Sequence, residues 1–258
     1  MQFEKVIVAP QIVIYKNIFK HSKDLIDLLE IDNKDSLFSK WDNWYEQGYR
    51  KHAVLNSSLI NNSDYAKKEN DYLLEISQII DFVNKDYFED FGKDNGIWPT
   101  FIKDWDVVSG HKDNIAIDYF KYDIKKVGER PEDMLMMEYH VDDFLLDSST
   151  QFLRHVITIN LYLNNEYSGG EICAYDAISN KSYMYKPSPG DIVVMPSTEP
   201  FYHAVKVFKG ADRYFLRVFV DYPVSGDYKI KEFNQKYEDY VKQDMQMIKI
   251  SALEELVN

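Results

Sequence analysis

Residues Met137 to Phe144, MEYHVDDF, place a histidine two positions ahead of an aspartate in a stretch without Gly or Pro. On a β-strand successive side chains alternate faces, so His140 and Asp142 would project to one side with Val141 opposite. An imidazole and a carboxylate placed in this way form a two-ligand arm for a divalent metal. A mononuclear iron(II) site of the facial-triad type needs one more histidine from elsewhere in the fold and keeps coordination positions open for substrate or oxygen. His203 is the best-placed candidate, because in FYHAVKVF the residues His203, Val205 and Val207 share one strand face. His21, His52 and His155 have no comparable setting. The His-x-Asp spacing alone is weak, since His111-Lys112-Asp113 repeats it. That copy sits in VSGHKDN, whose Gly, Asn and Lys read as a solvated loop, whereas His140 follows the apolar run MLMM and fits a strand.

Two further stretches could complete a pocket. Past the turn KGAD, Arg213 opens the strand RYFLRVFVDY, and an antiparallel hairpin would bring His203 and Arg213 into one cavity. A guanidinium there suits a dicarboxylate, because its planar fork binds a carboxylate through two parallel hydrogen bonds. The strand ITINLYLNN is amphipathic, with Ile157, Ile159, Leu161 and Leu163 on one face and Thr158, Asn160 and Tyr162 on the other. Its polar face must meet water or a pocket.

The elements that would position these groups fall into two textures. Residues Lys5 to Val13 are β-rich and interrupted by Pro10, and Ser22 opens SKDLIDLLE, whose leucine and isoleucine spacing predicts an amphipathic helix. From Trp41 to about Asn114 the chain holds all its tryptophans, Trp41, Trp44, Trp98 and Trp105, and a helix is expected around YLLEISQIIDFVNKDYFEDF. After Asn114, short β-branched and aromatic runs alternate with turn residues, predicting strands at 115–122, 136–142, 155–163, 171–176, 182–186, 191–195, 202–208 and 213–221. Short strands after a helical start argue for a β-sandwich or barrel backed by helices. The tail from 223 reads as helical, with a packing or homodimer role. We expect a single domain over 1–258, made of a strand and helical part (1–114), a β core (115–222) and a helical tail (223–258).

Composition limits the partners. A chain of 258 residues with 45% hydrophobic and 15% aromatic residues can fill one sizeable core. The net charge of -13 disfavours a nucleic-acid partner, because affinity for a phosphate backbone comes largely from Lys and Arg releasing counterions. No long apolar run suggests a membrane span. Cys173, the one cysteine, excludes an internal disulfide, and MQFEKVIVAP lacks the pattern of a secretory signal, so a reduced, cytoplasmic protein is expected. Gly169-Gly170 precedes a strand and reads as a turn instead of a phosphate loop.

In order along the chain, HVD at 140–142, TINLYLNNEYSGGEICAY, KPSPGDIVVMPS and HAVKVFKGADRYFLRVF resemble motifs of the iron(II)/2-oxoglutarate-dependent oxygenases, in particular their prolyl 4-hydroxylase-like branch. Ordered matches are far more specific than any one of them. The resemblance implies a mainly β double-stranded β-helix, or jelly roll, packed against N-terminal and C-terminal helices. It implies that His140, Asp142 and His203 ligate Fe(II), and that Arg213 binds the far carboxylate of 2-oxoglutarate with help from Tyr162. Tyr122 would be a further cosubstrate tyrosine, with Tyr119 its rival. The implied reaction consumes O2, releases succinate and CO2 and hydroxylates a C–H bond, with ascorbate as an optional reductant. Asp142 argues against a halogenase, in which a small residue replaces the carboxylate. Phe219 stands where nucleic-acid demethylases of the superfamily carry a second arginine, and Arg217 lies nearer, which argues against that activity. The expected substrate is a prolyl or similar residue in a peptide or protein. The alternatives are a free amino acid or another small molecule and, from a different class, a catalytically inactive jelly-roll binding module.

Overall fold

The computed structural model describes residues 3–9, 11–30, 45–47, 50–56, 64–91, 116–128, 130–131, 133–142, 145–147, 152–177, 179–197 and 201–223. The four tryptophans, His111, Asp143 and the tail after 223 lie outside the described residues.

The chain begins with an antiparallel hairpin, β1 (Glu4–Ala9) and β2 (Ile12–Lys16), turned at Gln11 with a φ of 64°. The sequence reading had one interrupted strand here. The first strand instead ends at Ala9 and a second begins at Ile12, in keeping with a proline in the sequence between them that has no amide proton to give a ladder. Helix α1 (Ser22–Glu30) follows as expected. Helix α2 (Asp64–Phe91) is longer than predicted and buries Leu73, Ile76, Ile80, Val83 and Tyr87, alternating three and four residues apart, as one apolar stripe requires. Two strands in the 40–110 stretch, β3 (Tyr45–Gln47) and β4 (Arg50–Asn56), were not anticipated. They extend the large sheet from its edge on β5 (Ala116–Tyr122). A short helical turn, Ile124–Val127, follows β5.

The remaining strands are β6 (Leu135–His140), β7 (Leu145–Asp147), β8 (Phe152–Tyr162), β9 (Ser168–Gly169), β10 (Ile172–Asp176), β11 (Lys181–Tyr185), β12 (Ile192–Pro196), β13 (Phe201–Lys206), β14 (Phe208–Lys209) and β15 (Arg213–Pro223). The large sheet runs β1-β2-β12-β8-β15-β5-β4-β3, with β7 also on β8, and the small sheet runs β11-β10-β13-β6. From β8 onward the chain passes between the sheets: β8, β12 and β15 belong to the large one, β10 and β13 to the small one. This alternation, with antiparallel pairing throughout, is the jelly roll.

Strand periodicity divides the apolar residues between two cores. Ile157, Ile159 and Leu161 of β8 and Leu216, Val218 and Val220 of β15 pack with Leu25 of α1 and Ile76 and Ile79 of α2 on the outside of the large sheet. The alternate residues, Tyr162 and Phe215, face inward to meet Ile172, Ala174 and Met136 of the small sheet. The polar face of ITINLYLNN therefore points into the barrel and not to solvent. Tyr15 anchors the helical layer, donating from its hydroxyl to Asp86 Oδ2 of α2 at 2.7 Å. Gly169 ends β9 instead of forming the expected turn, and the close pairing with β14 needs a glycine there: with φ 68°, a Cβ would lie 2.2 Å from the Val207 carbonyl oxygen.

Candidate metal and cosubstrate site

The barrel interior brings the expected chemistry together, with one change in how it is built. Strand β6 stops at His140, so Asp142 lies just beyond the strand end and is not on it. His203 on β13 is directly opposite His140 in the ladder, and their rings stand 4.3 Å apart between centroids. His203 Nε2 lies 3.4 Å from Asp142 Oδ2, and His140 Nε2 lies 3.7 Å from Asp142 Oδ1. One ligand atom from each of the three residues falls within 4.8 Å of the others, a grouping that can hold a metal ion.

Neighbouring groups prepare these ligands. His140 Nδ1 is 2.7 Å from the Glu138 carbonyl oxygen, so it takes the donor role and leaves Nε2 as the lone-pair nitrogen. Burial pulls His203 down to about 4, keeping the imidazole neutral at physiological pH. Burial would raise the Asp142 carboxyl, but its electrostatic interactions with His203, Arg217 and His140 and a Thr158 hydrogen bond outweigh it and hold the group below its ordinary range. Thr158 Oγ1 donates to Asp142 Oδ2 at 2.9 Å and is itself 2.8 Å from Ser197 Oγ. Two neutral imidazoles and one carboxylate are the donor set that a hard to borderline divalent ion such as Fe(II) accepts.

Deeper in the same cavity Arg213 is 1% exposed and boxed by aromatic rings. Its guanidinium carbon lies 5.5 Å from the Tyr122 ring centroid, 5.2 Å from Tyr162 and 5.1 Å from Phe215. Burial works against its charge, and interactions with the phenols of Tyr167, Tyr162 and Tyr122 more than compensate, so it stays protonated. The expected hairpin between the strands of His203 and Arg213 does not form. β13 and β15 lie in opposite sheets, and the two side chains face one cavity across the barrel. Tyr122 lines that cavity, whereas Tyr119 points the other way and donates to Glu30 Oε1 at 3.0 Å.

Among the described residues, eight buried side-chain polar atoms lack a hydrogen-bond partner, and six of them belong to Arg213, His203, Asn160 and Tyr167 around this cavity. Buried polar groups are rarely left unpaired, because each such atom forfeits its hydration. All three Arg213 nitrogens are among them, as expected of a site built for an anion. The residues fit both Fe(II) and a dicarboxylate.

Residues 134–221 match the family model of the 2OG-Fe(II) oxygenase superfamily. The chain thus carries, over that stretch, the signature of the 2OG-Fe(II) oxygenase superfamily. Its fold is that of the rice dioxygenase for auxin oxidation, at 12% identity over 79% of this chain and 69% of that one, with a TM-score of 0.50. Also similar are an Arabidopsis thaliana dioxygenase for auxin oxidation with 2-oxoglutarate bound (16% identity, 81% and 79% covered, TM-score 0.49) and a Pseudomonas putida prolyl-4-hydroxylase (14%, 81% and 92%, 0.47). At these identities the likeness is one of fold. No curated protein matches the chain in sequence. The oxygenase uses Fe(II), 2-oxoglutarate and O2, and no helix among the described residues is long and apolar enough to cross a membrane.

Sequence reasoning missed the supporting residues of the oxygenase site. Thr158 of β8 holds Asp142, Ser197 just past β12 bonds Thr158 in turn, and Tyr167 sits beside Arg213 from the loop after β8. Only the polar parity of ITINLYLNN signalled Thr158; Ser197 and Tyr167 had no signal, because their roles depend on contacts between distant strands. Arg217, noted only for its spacing from Arg213, also lines the cavity.

Proposed function

We propose that His140, Asp142 and His203 hold Fe(II), that Arg213, Tyr122 and Tyr162 bind 2-oxoglutarate, and that the oxygenase hydroxylates a C–H bond of a prolyl or similar residue in a peptide. The carrying observation is the co-location, in one cavity, of a preorganised His-Asp-His cluster and a buried arginine without a hydrogen-bond partner. Fe(II) with 2-oxoglutarate supplies oxidative decarboxylation, activating O2 for insertion into a C–H bond and releasing succinate and CO2. The protein's own contribution is positional. Arg213 fixes the far carboxylate, Tyr162 and Tyr122 wall the cosubstrate, and the ring contact of His140 with His203 keeps the ligand nitrogens convergent.

A peptide substrate is supported by the space available. The cavity's open space is about 400 Å3 with its solvent-facing mouth counted, and the cosubstrate must occupy its depth. The reacting group then comes from outside, beside the 30% exposed His140, which suits a side chain presented by a polypeptide lying across the opening. The prolyl assignment is supported by the order of the sequence motifs, and the same order supports residues 1–258 acting as one oxygenase unit. Two measurements test the reading. Anaerobic titration with Fe(II) and 2-oxoglutarate should develop the weak visible charge-transfer band of the chelated metal, and its absence would sink the metal assignment. Succinate release should then be stimulated by proline-containing peptides, and stimulation by free amino acids alone would replace the peptide reading with a small-molecule one.

A further inference from the structure

We propose that Arg217 is a positioning residue for Asp142: it is clamped by Asp118 and two aromatic rings so that its remaining nitrogen fixes the carboxylate oxygen that Thr158 does not hold. The proposal rests on the assignment of Asp142 as an iron ligand. Strand parity sends Arg213, Phe215 and Arg217 into the cavity, and Arg217 lies directly opposite Asp118 on β5 and Asn160 on β8. Its Nε and Nη2 both donate to Asp118 Oδ2, at 3.2 and 2.8 Å. Its guanidinium carbon stands 4.6 Å from the Phe120 ring centroid and 4.3 Å from that of Phe219. A guanidinium gripped at one edge and stacked on two rings has little freedom left. The nitrogen that remains, Nη1, is 3.9 Å from Asp142 Oδ1.

The two Asp142 oxygens are therefore distinguished. Oδ2 accepts from Thr158 at 2.9 Å, and Oδ1 faces the Arg217 cation. Rotating the carboxylate about its Cβ–Cγ bond would break one arrangement or the other. A carboxylate can grip a metal through one oxygen or two, and holding Oδ1 by charge keeps it from swinging onto the ion, so that a coordination position stays free. Outer groups that orient metal ligands are worth about 10- to 100-fold in metal affinity.

A structural alternative is that Arg217 only neutralises Asp118. The test uses Co(II) as probe, without 2-oxoglutarate, and reads both affinity and the visible d–d spectrum for the wild type, Arg217→Lys, Arg217→Met, and Asp118→Asn combined with Arg217→Met. The double variant leaves no unpaired charge, and Arg217→Lys keeps the charge without the fork. We expect Arg217→Met and the double variant to lose about 10- to 100-fold in Co(II) affinity, and Arg217→Lys to bind with a shifted spectrum. Wild-type affinity and spectrum in the double variant, or in Arg217→Met, would overturn the positioning role. A wild type that binds no Co(II) would instead overturn the metal assignment, and this role with it.

Discussion

At the scale of single residues the site separates into ligands and anchors whose losses read differently. Asp142→Ala and His203→Ala each remove a donor that the other two cannot replace, so Fe(II)-dependent succinate formation should fall to background. The fold should survive, since neither side chain belongs to the apolar cores. Residual metal-dependent turnover in either variant would show that the ligand set lies elsewhere. Arg213→Ala should leave metal binding intact and raise the KM for 2-oxoglutarate by about 10- to 100-fold, the equivalent of one to two hydrogen bonds to a charged group. An unchanged KM would refute the anchor role. The proposed ligands and Arg213 were legible in the sequence because each sits in a local motif, on a strand or just past its end. Arg217, Thr158 and Tyr167 were not, because what makes them functional is a neighbour supplied by a distant strand: Asp118 for Arg217, Asp142 for Thr158, and Arg213 for Tyr167.

At the scale of elements, the position of Arg213 depends on how β15 is launched. Asn164, just past β8, donates from Nδ2 to the Asp212 carbonyl at 2.8 Å and accepts from the Tyr214 amide at 2.9 Å, bracketing Arg213 on both sides. The neighbouring Leu163 amide donates to the Tyr214 carbonyl at 3.0 Å. Asn164→Ala would leave part-buried backbone groups unpaired, at up to about 1–3 kcal/mol. It should lower the denaturation midpoint and raise the KM for 2-oxoglutarate together, although Asn164 need not touch the cosubstrate. A drop in stability with no change in KM would confine Asn164 to a structural role. The strands after residue 114 were legible because β-branched and aromatic residues recur with period two and turn residues punctuate them. Strands β3 and β4 were not, since YEQ and RKHAVLN are polar or charged at most positions and carry no such signal. The failed hairpin between β13 and β15 has the same origin: a turn between two strand-like runs does not say whether they pair or part into opposite sheets.

At the scale of the molecule, the two cores have separate duties. His140 and His203 come from the small sheet, and Arg213 from the large one, with Asp142 held between them by Thr158 of the large sheet. Metal and cosubstrate together would therefore tie the sheets across the barrel interior. A ligand that binds only the folded state stabilises it by RT ln(1 + [L]/Kd), about 2.7 kcal/mol at a hundredfold excess over Kd. Thermal unfolding should accordingly move up with Mn(II), further with Mn(II) and 2-oxoglutarate, and return on adding a chelator. The outer core lies on the far side of the large sheet, where fully buried Ile79 of α2 belongs to one apolar cluster with residues of β8 and β15. Ile79→Ala should cost about 2–5 kcal/mol by opening a cavity there. Because that cavity is separated from the ligands by the sheet itself, the increment from Mn(II) and 2-oxoglutarate should persist in Ile79→Ala and vanish in His203→Ala. If Ile79→Ala also removed the increment, the helical layer would be shaping the site and not only supporting the sheet.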